Sequence, residues 1–150
     1  MLNREYRNTR FLIVDGNPQL RLTLERMLKA FGAWYIDLAT DSQEAIQKAN
    51  SGCFDVVLCD FQLPGRNGQY VLEELRERRV LRNTSVFLMM SADTTREMVL
   101  AAIDHQPDAY INKPVTSEVL RQRLDALLVE NEVLYELKHA LDMDRISEAI

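Results

Sequence analysis

Two aspartates, a serine and a lysine each follow a short apolar run. Asp15 comes after Phe11-Leu12-Ile13-Val14, Asp60 after Val56-Val57-Leu58-Cys59, Ser91 after Val86-Phe87-Leu88-Met89-Met90, and Lys113-Pro114 just beyond Ala109-Tyr110-Ile111. If the runs are strands of one sheet, these four side chains converge on one edge. Carboxylate oxygens hold a hard divalent cation, and a cation, an ammonium and a hydroxyl together receive a phosphoryl group. Asp60 is then the natural nucleophile, because a carboxylate forms an acyl phosphate. Each residue alone has an ordinary alternative: an acid after a strand forms turns or caps helices, Ser91 caps a following helix, and Lys113 sits in solvent. Their occurrence together, at four strand ends, is what points to a site.

The elements that must position them follow from periodicity. A fifth apolar run, Tyr35 to Ala39, joins the four above, and runs this continuous suit strands covered on both faces, as in a parallel sheet. Helical period fills the gaps. Pro18 sits in the first turn of one helix, Leu20, Leu24, Met27 and Leu28 share its inward face, and Gly32 stops it. A second opens at Asp41 or Ser42 with Ala45, Ile46 and Ala49 inward and ends at Gly52. A third spans about Gln69 to Val80 on Tyr70, Val71, Leu72 and Leu75. A fourth starts at Thr94, which with Glu97 has capping-box spacing, and carries Met98, Ala101, Ala102 and Ile103. A fifth starts near Ser117. Strand and helix alternating five times predict an α/β fold with a parallel sheet and helices on both faces, its working site at the carboxyl ends of the strands.

Composition narrows the function. A chain of 150 residues supports one domain with its own core and one extra element. A net charge of −5 and the lack of a basic recognition helix argue against nucleic acid. The arginines at positions 4, 7 and 10 read as solvated flank. Two cysteines are too few for a disulfide framework, so Cys53 and Cys59 read as reduced thiols of a cytoplasmic protein. His105 and His139 have no metal-ligand spacing around them. MLNREYRNTR has no signal-peptide apolar core and the longest apolar runs are strand-length, so neither export nor a membrane span is expected.

In order and spacing, FLIVD, DVVLCDFQLPGRNG, FLMMSAD and AYINKP resemble the motifs of the receiver domain of bacterial two-component response regulators, over about residues 9 to 129. The resemblance implies a flavodoxin-like (CheY-like) doubly wound, five-stranded parallel sheet in the order 2-1-3-4-5. It implies a signalling domain rather than a true enzyme, with self-catalysed phosphoryl transfer and hydrolysis only. Asp60 matches the phosphoacceptor, which takes its phosphoryl group from a histidine kinase or phosphotransfer protein. Asp15 matches the first of an acidic pair near magnesium, Ser91 the switch hydroxyl, Lys113 the lysine that bonds the phosphoryl group, and Tyr110 the aromatic switch. Gln62 is implied to offer its backbone carbonyl to the metal, and Pro114 to follow a cis peptide bond. A flavodoxin proper would need hydroxyls in the loop after strand one, where GNPQLR has none. A haloacid-dehalogenase-like phosphatase would need a second acid at Asn17.

The chain departs from the pattern at one place. Most receivers carry a second acid after the first, and here Gly16 replaces it. One anionic ligand fewer predicts weak magnesium affinity. It also relieves repulsion around Asp60, which favours an incoming phosphoryl group. The alternatives are a pseudo-receiver adaptor whose metal site Gly16 has impaired, acting through the C-terminal helix, and a mainly structural dimerisation unit. Gly16 also reads simply as a permissive turn residue before Asn17-Pro18.

The receiver's output face is expected to include Met98, Ile103 and Tyr110, although core burial also accounts for Ile103. The fifth helix runs on about twice as far as the sheet requires. Leu120, Leu127, Leu134 and Leu141 recur every seven residues, with Leu124 and Asn131 between, which suits a parallel coiled-coil dimer. Lys138 interrupts that seam, and Leu128, Tyr135 and Leu137 widen it. Val133, Leu134, Leu137 and Leu141 are surplus to the sheet. The expected organisation is an N-terminal arm (1–8), a receiver (9–129) and a helical extension (130–150). The extension is either a dimerisation element or the start of a helical output domain, which the weak tetratricopeptide-like look of YELKHALDMDRISEAI suggests.

Overall fold

In the computed structural model the described residues are 6–81, 85–92, 106–129, 137, 140 and 141. Strands β1 (Arg10–Val14), β2 (Tyr35–Ala39), β3 (Val56–Asp60), β4 (Val86–Ser91) and β5 (Ala109–Asn112) alternate with helices α1 (Pro18–Ala30), α2 (Ser42–Ser51) and α3 (Gly68–Glu77). A C-terminal helix covers residues 117–129. The sheet is parallel, in the order β2-β1-β3-β4-β5. The helix expected from Thr94 lies outside the described residues, with Met98 and Ile103.

Alternation along strands buried on both faces makes two cores. Phe11, Ile13, Val56, Leu58, Val86, Leu88 and Met90 meet α1 and the C-terminal helix. Leu12, Val14, Val57, Cys59, Phe87 and Met89 meet α2 and α3. At the open β2 edge, Asp37 accepts from the Leu38 N–H and Lys48 donates to its carbonyl, which denies that stretch to a further strand.

Local chemistry sets the helix ends. Asn17 caps α1 by accepting from the N–H groups of Gln19 and Leu20, and Gly32, at φ +93°, lets the chain leave it. Asp41, rather than Ser42, caps α2 through the Glu44 N–H. Helix α3 stops at Glu77, short of the expected Val80, because Arg79 takes a left-handed φ of 54°.

The segment ahead of β1 contributes to the core. Tyr6 is fully buried, its ring edge-on to Phe11 and its hydroxyl bonded to Asp125 on the C-terminal helix. On that helix Leu120 and Leu124 are fully buried and Leu128 nearly so, with Leu127 packed beside them. The sheet therefore takes Leu120 and Leu124 of the heptad stripe and part of Leu127. Leu137 and Leu141, both helical, are 58% exposed. Val133 and Leu134 lie outside the described residues.

Candidate functional site

Parallel register brings the expected residues together. Asp15 leaves β1 beside β2, its N–H donating to the Ala39 carbonyl. Asp60 ends β3 opposite Met90, and Ser91 ends β4 opposite Asn112. Lys113 follows β5, with its N–H on the Ser91 carbonyl at 2.8 Å. The Lys113–Pro114 bond is cis.

One ammonium serves two acids. Lys113 Nζ lies 2.8 Å from Asp60 Oδ2 and 3.2 Å from Asp15 Oδ2. The other carboxylate oxygens take backbone donors: Asp15 Oδ1 accepts from the Asn17 N–H at 2.8 Å, and Asp60 Oδ1 from the Gln62 N–H at 3.2 Å. Asp15 is 1%, Asp60 8% and Ser91 0% exposed, so these charges interact largely outside water.

Electrostatics follows from that burial. Loss of hydration pushes the Asp60 carboxyl above its ordinary value, Asp15 adds repulsion, and Lys113 opposes both. Burial pulls Lys113 down, but the bond and charge of Asp60 together with Asp15 outweigh it, and its pKa is raised. Burial first, then Asp60 and Asp15, push the Cys59 thiol well up, which keeps it protonated and unreactive. Cys53 and Cys59 are both free thiols.

The donor set fits a magnesium ion. The carboxylates of Asp15 and Asp60, brought together on Lys113, are hard oxygen ligands, and magnesium takes one or two protein carboxylates and keeps several waters. Among the described residues no group of three or more His, Cys, Asp or Glu converges, so the site offers these two acids alone. Tyr110 is half-buried in β5, opposite Met89 and packed against the α2/α3 side of the sheet.

Three neighbours escaped the sequence reading. Arg21, one turn into α1, donates through Nη1 to the Asp15 carbonyl at 2.6 Å and holds the Asp15-Gly16 peptide. Gly68 starts α3 so close to the end of β3 that an added Cβ would lie 2.5 Å from the Asp60 carbonyl oxygen and 2.7 Å from Met89 Sδ. A glycine at the start of a helix, where glycine has no conformational advantage, was the available signal. Pro64 fills the space in front of Gly16, and no local pattern announces it.

A five-stranded parallel sheet in this order, with two buried acids, a buried serine and a lysine at its carboxyl edge, has the form of a receiver domain. The chain belongs to the response regulator receiver domain family, whose model matches residues 11–125. It is 31% identical over 121 residues to chemotaxis protein CheY-3 of Vibrio cholerae, covering 81% of this chain and 92% of that one. It is 33% identical to the regulatory protein VanRB of Enterococcus faecalis, covering 79% of this chain and 52% of that one. The crystal structure of response regulator protein TrrA from Thermotoga maritima, in complex with Mg2+-BeF, superposes with a TM-score of 0.68 at 28% identity, covering 80% of this chain and 99% of that one. Receiver domains are signalling modules of two-component systems that bind magnesium at the phosphorylation site and meet kinases or phosphotransfer proteins and downstream effectors. Among the described residues no helix is long and apolar enough to cross a membrane.

Proposed function

We propose that this chain accepts a phosphoryl group on Asp60 from a histidine kinase or phosphotransfer protein, as a cytoplasmic bacterial regulator, and converts it into an altered protein-protein surface. The observation that carries the reading is the shared ammonium, 2.8 Å from Asp60 and 3.2 Å from Asp15. Asp60 Oδ attacks phosphorus, the new O–P bond forms as the bond to the donor's imidazole nitrogen breaks, and the imidazole leaves with the electron pair. Magnesium, when bound by Asp15, Asp60 and the Gln62 carbonyl, supplies charge neutralisation for the transferring group. Lys113 balances Asp60 before transfer and a phosphoryl oxygen afterwards, while Asp15 keeps its amine in place. The Ser91 hydroxyl turns to the phosphoryl group, and Tyr110 on the neighbouring strand carries the change to the surface.

The output reading concerns the C-terminal extension, residues 130–150. With Leu120 and Leu124 buried, the exposed Leu137 and Leu141, four residues apart in sequence, support a homodimer through the extension 130–150. A downstream protein or a helical output domain is the other occupant of that face. Nucleic acid and membrane are not partners in this reading. A second reading, the pseudo-receiver adaptor, draws support from Gly16, which leaves the site one acid short.

Intact mass after incubation with a small-molecule phosphoryl donor, with and without magnesium, tests the choice. A magnesium-dependent gain of one phosphoryl group, absent in Asp60→Asn, is expected. Folded protein that gains nothing at any magnesium concentration turns the conclusion to the pseudo-receiver.

A further inference from the structure

Arg21 stands where an arginine does its own helix no service. It is the fourth residue of α1, near the positive end of the helix dipole, and the first turn carries no acid to balance it. Its backbone N–H donates to the Asn17 carbonyl at 3.0 Å. The half-buried side chain turns back toward the end of β1, where Nη1 donates to the Asp15 carbonyl at 2.6 Å. A hydrogen bond from a full positive charge is about twice as strong as one between neutral groups.

That bond completes the fixation of Asp15. Its N–H donates to the Ala39 carbonyl at 3.1 Å, Oδ1 accepts from the Asn17 N–H at 2.8 Å, and Oδ2 lies 3.2 Å from Lys113 Nζ. Two of these partners hold loosely. The Asn17 amide is reached across Gly16, and glycine has the freest backbone of any residue. Lys113 is shared with Asp60 and, once a phosphoryl group is in place, has an oxygen of that group to balance. Arg21 is anchored differently, on a helix whose Leu20 and Leu24 pack into the core.

We infer that Arg21 is a positioning residue of the cation site: by holding the Asp15-Gly16 peptide from α1, it fixes the orientation in which the Asp15 carboxylate meets magnesium. It acts through Asp15, and its loss shows in metal affinity rather than in the rate of transfer at saturating metal. This rests on the reading of Asp15 as a magnesium ligand.

The test compares the full chain with Arg21→Lys and Arg21→Met. Magnesium affinity is measured by titration calorimetry, amide hydrogen exchange by NMR in chelator, and phosphoryl transfer by intact mass. Arg21→Met is expected to bind magnesium about tenfold more weakly, the scale on which partners behind a metal ligand act. It then needs about tenfold more magnesium for transfer and reaches the wild-type rate at saturation. Arg21→Lys, which keeps a charged donor, recovers to within about threefold. In chelator the Asn17 amide exchanges about tenfold faster in Arg21→Met, while the Leu58 and Leu88 amides of the central strands keep their wild-type rates. Arg21→Met binding magnesium within about twofold of wild type overturns the inference. So does a lysine variant no better than the methionine one, or faster exchange spread evenly over the central strands, which marks a merely structural role. Wild type that binds magnesium but takes no phosphoryl group refutes the phosphoacceptor reading alone, because calorimetry and exchange need no donor.

Discussion

The two poles of the sheet treat charge in opposite ways. At the carboxyl ends Asp15, Asp60 and Ser91 are buried, and Lys113 closes over both acids. At the amino ends the charges stay in water: the Arg7 guanidinium lies 4.7 Å from the centre of the Trp34 ring and Arg10 5.0 Å from that of Tyr35. Trp34 is 67% and Tyr35 47% exposed. The same charge type thus has two energetic roles. A guanidinium over an exposed ring contributes about 0.5–1 kcal/mol, whereas an ammonium between desolvated carboxylates holds groups that would otherwise repel. At the carboxyl pole charge is concentrated enough to raise the pKa values of both Asp60 and Lys113.

The sharpest way to break that contrast is to remove the cation from each pole. Lys113→Met is expected to cost about 3 kcal/mol at pH 8 in urea melts with chelator, because Asp15 and Asp60 are left facing each other. The deficit shrinks on acidification, as one carboxyl takes a proton. Equal costs for Lys113→Met and Arg10→Met would erase the distinction. Because the folded Lys113 pKa is raised above 10.5, its contribution is complete below that pH and is lost as pH climbs through the raised value, a decline missing from Lys113→Met.

A smaller effect of opposite sign is expected at Asp60. Its folded carboxyl binds a proton more tightly than the ordinary value of 3.8, so its contribution is most favourable below pH 3.8 and is lost as pH rises through the raised value. Asp60→Asn is therefore expected to be more stable than wild type by about 1 kcal/mol at pH 7, with the difference closing in acid. Melts of both proteins across pH check it, and a variant less stable at pH 7 would mean that Lys113 more than offsets burial. The smallest effect belongs to the amino pole. Arg7→Ala is expected to stay within about 0.5 kcal/mol at any pH from 4 to 9. A larger loss would show that the exposed tryptophan stack is part of the fold.

Much of the site was legible because it obeys a topological rule. Once the apolar runs were strands of a parallel sheet, Asp15, Asp60, Ser91 and Lys113 had to share an edge, and they do. Tyr6 was not legible: a lone tyrosine among arginines has no period, and its burial depends on a helix more than a hundred residues away. The C-terminal stripe was legible only as surplus apolar surface. Leu120 and Leu124 fit a heptad and a sheet-covering face equally well, and only the packed sheet decided between them.

Local chemistry along the chain determined the strands, the caps at Asn17 and Asp41, and which side chains reach the carboxyl edge, because a strand's period and a cap's spacing are properties of neighbouring residues. Tertiary structure alone decided that Lys113 is shared between two acids, that Gly68 must lack a side chain, and that Gly16 faces a proline ring. Each of those facts depends on distances of a few ångströms between segments far apart in sequence, and such distances exist only once the cores on both faces of the sheet have packed.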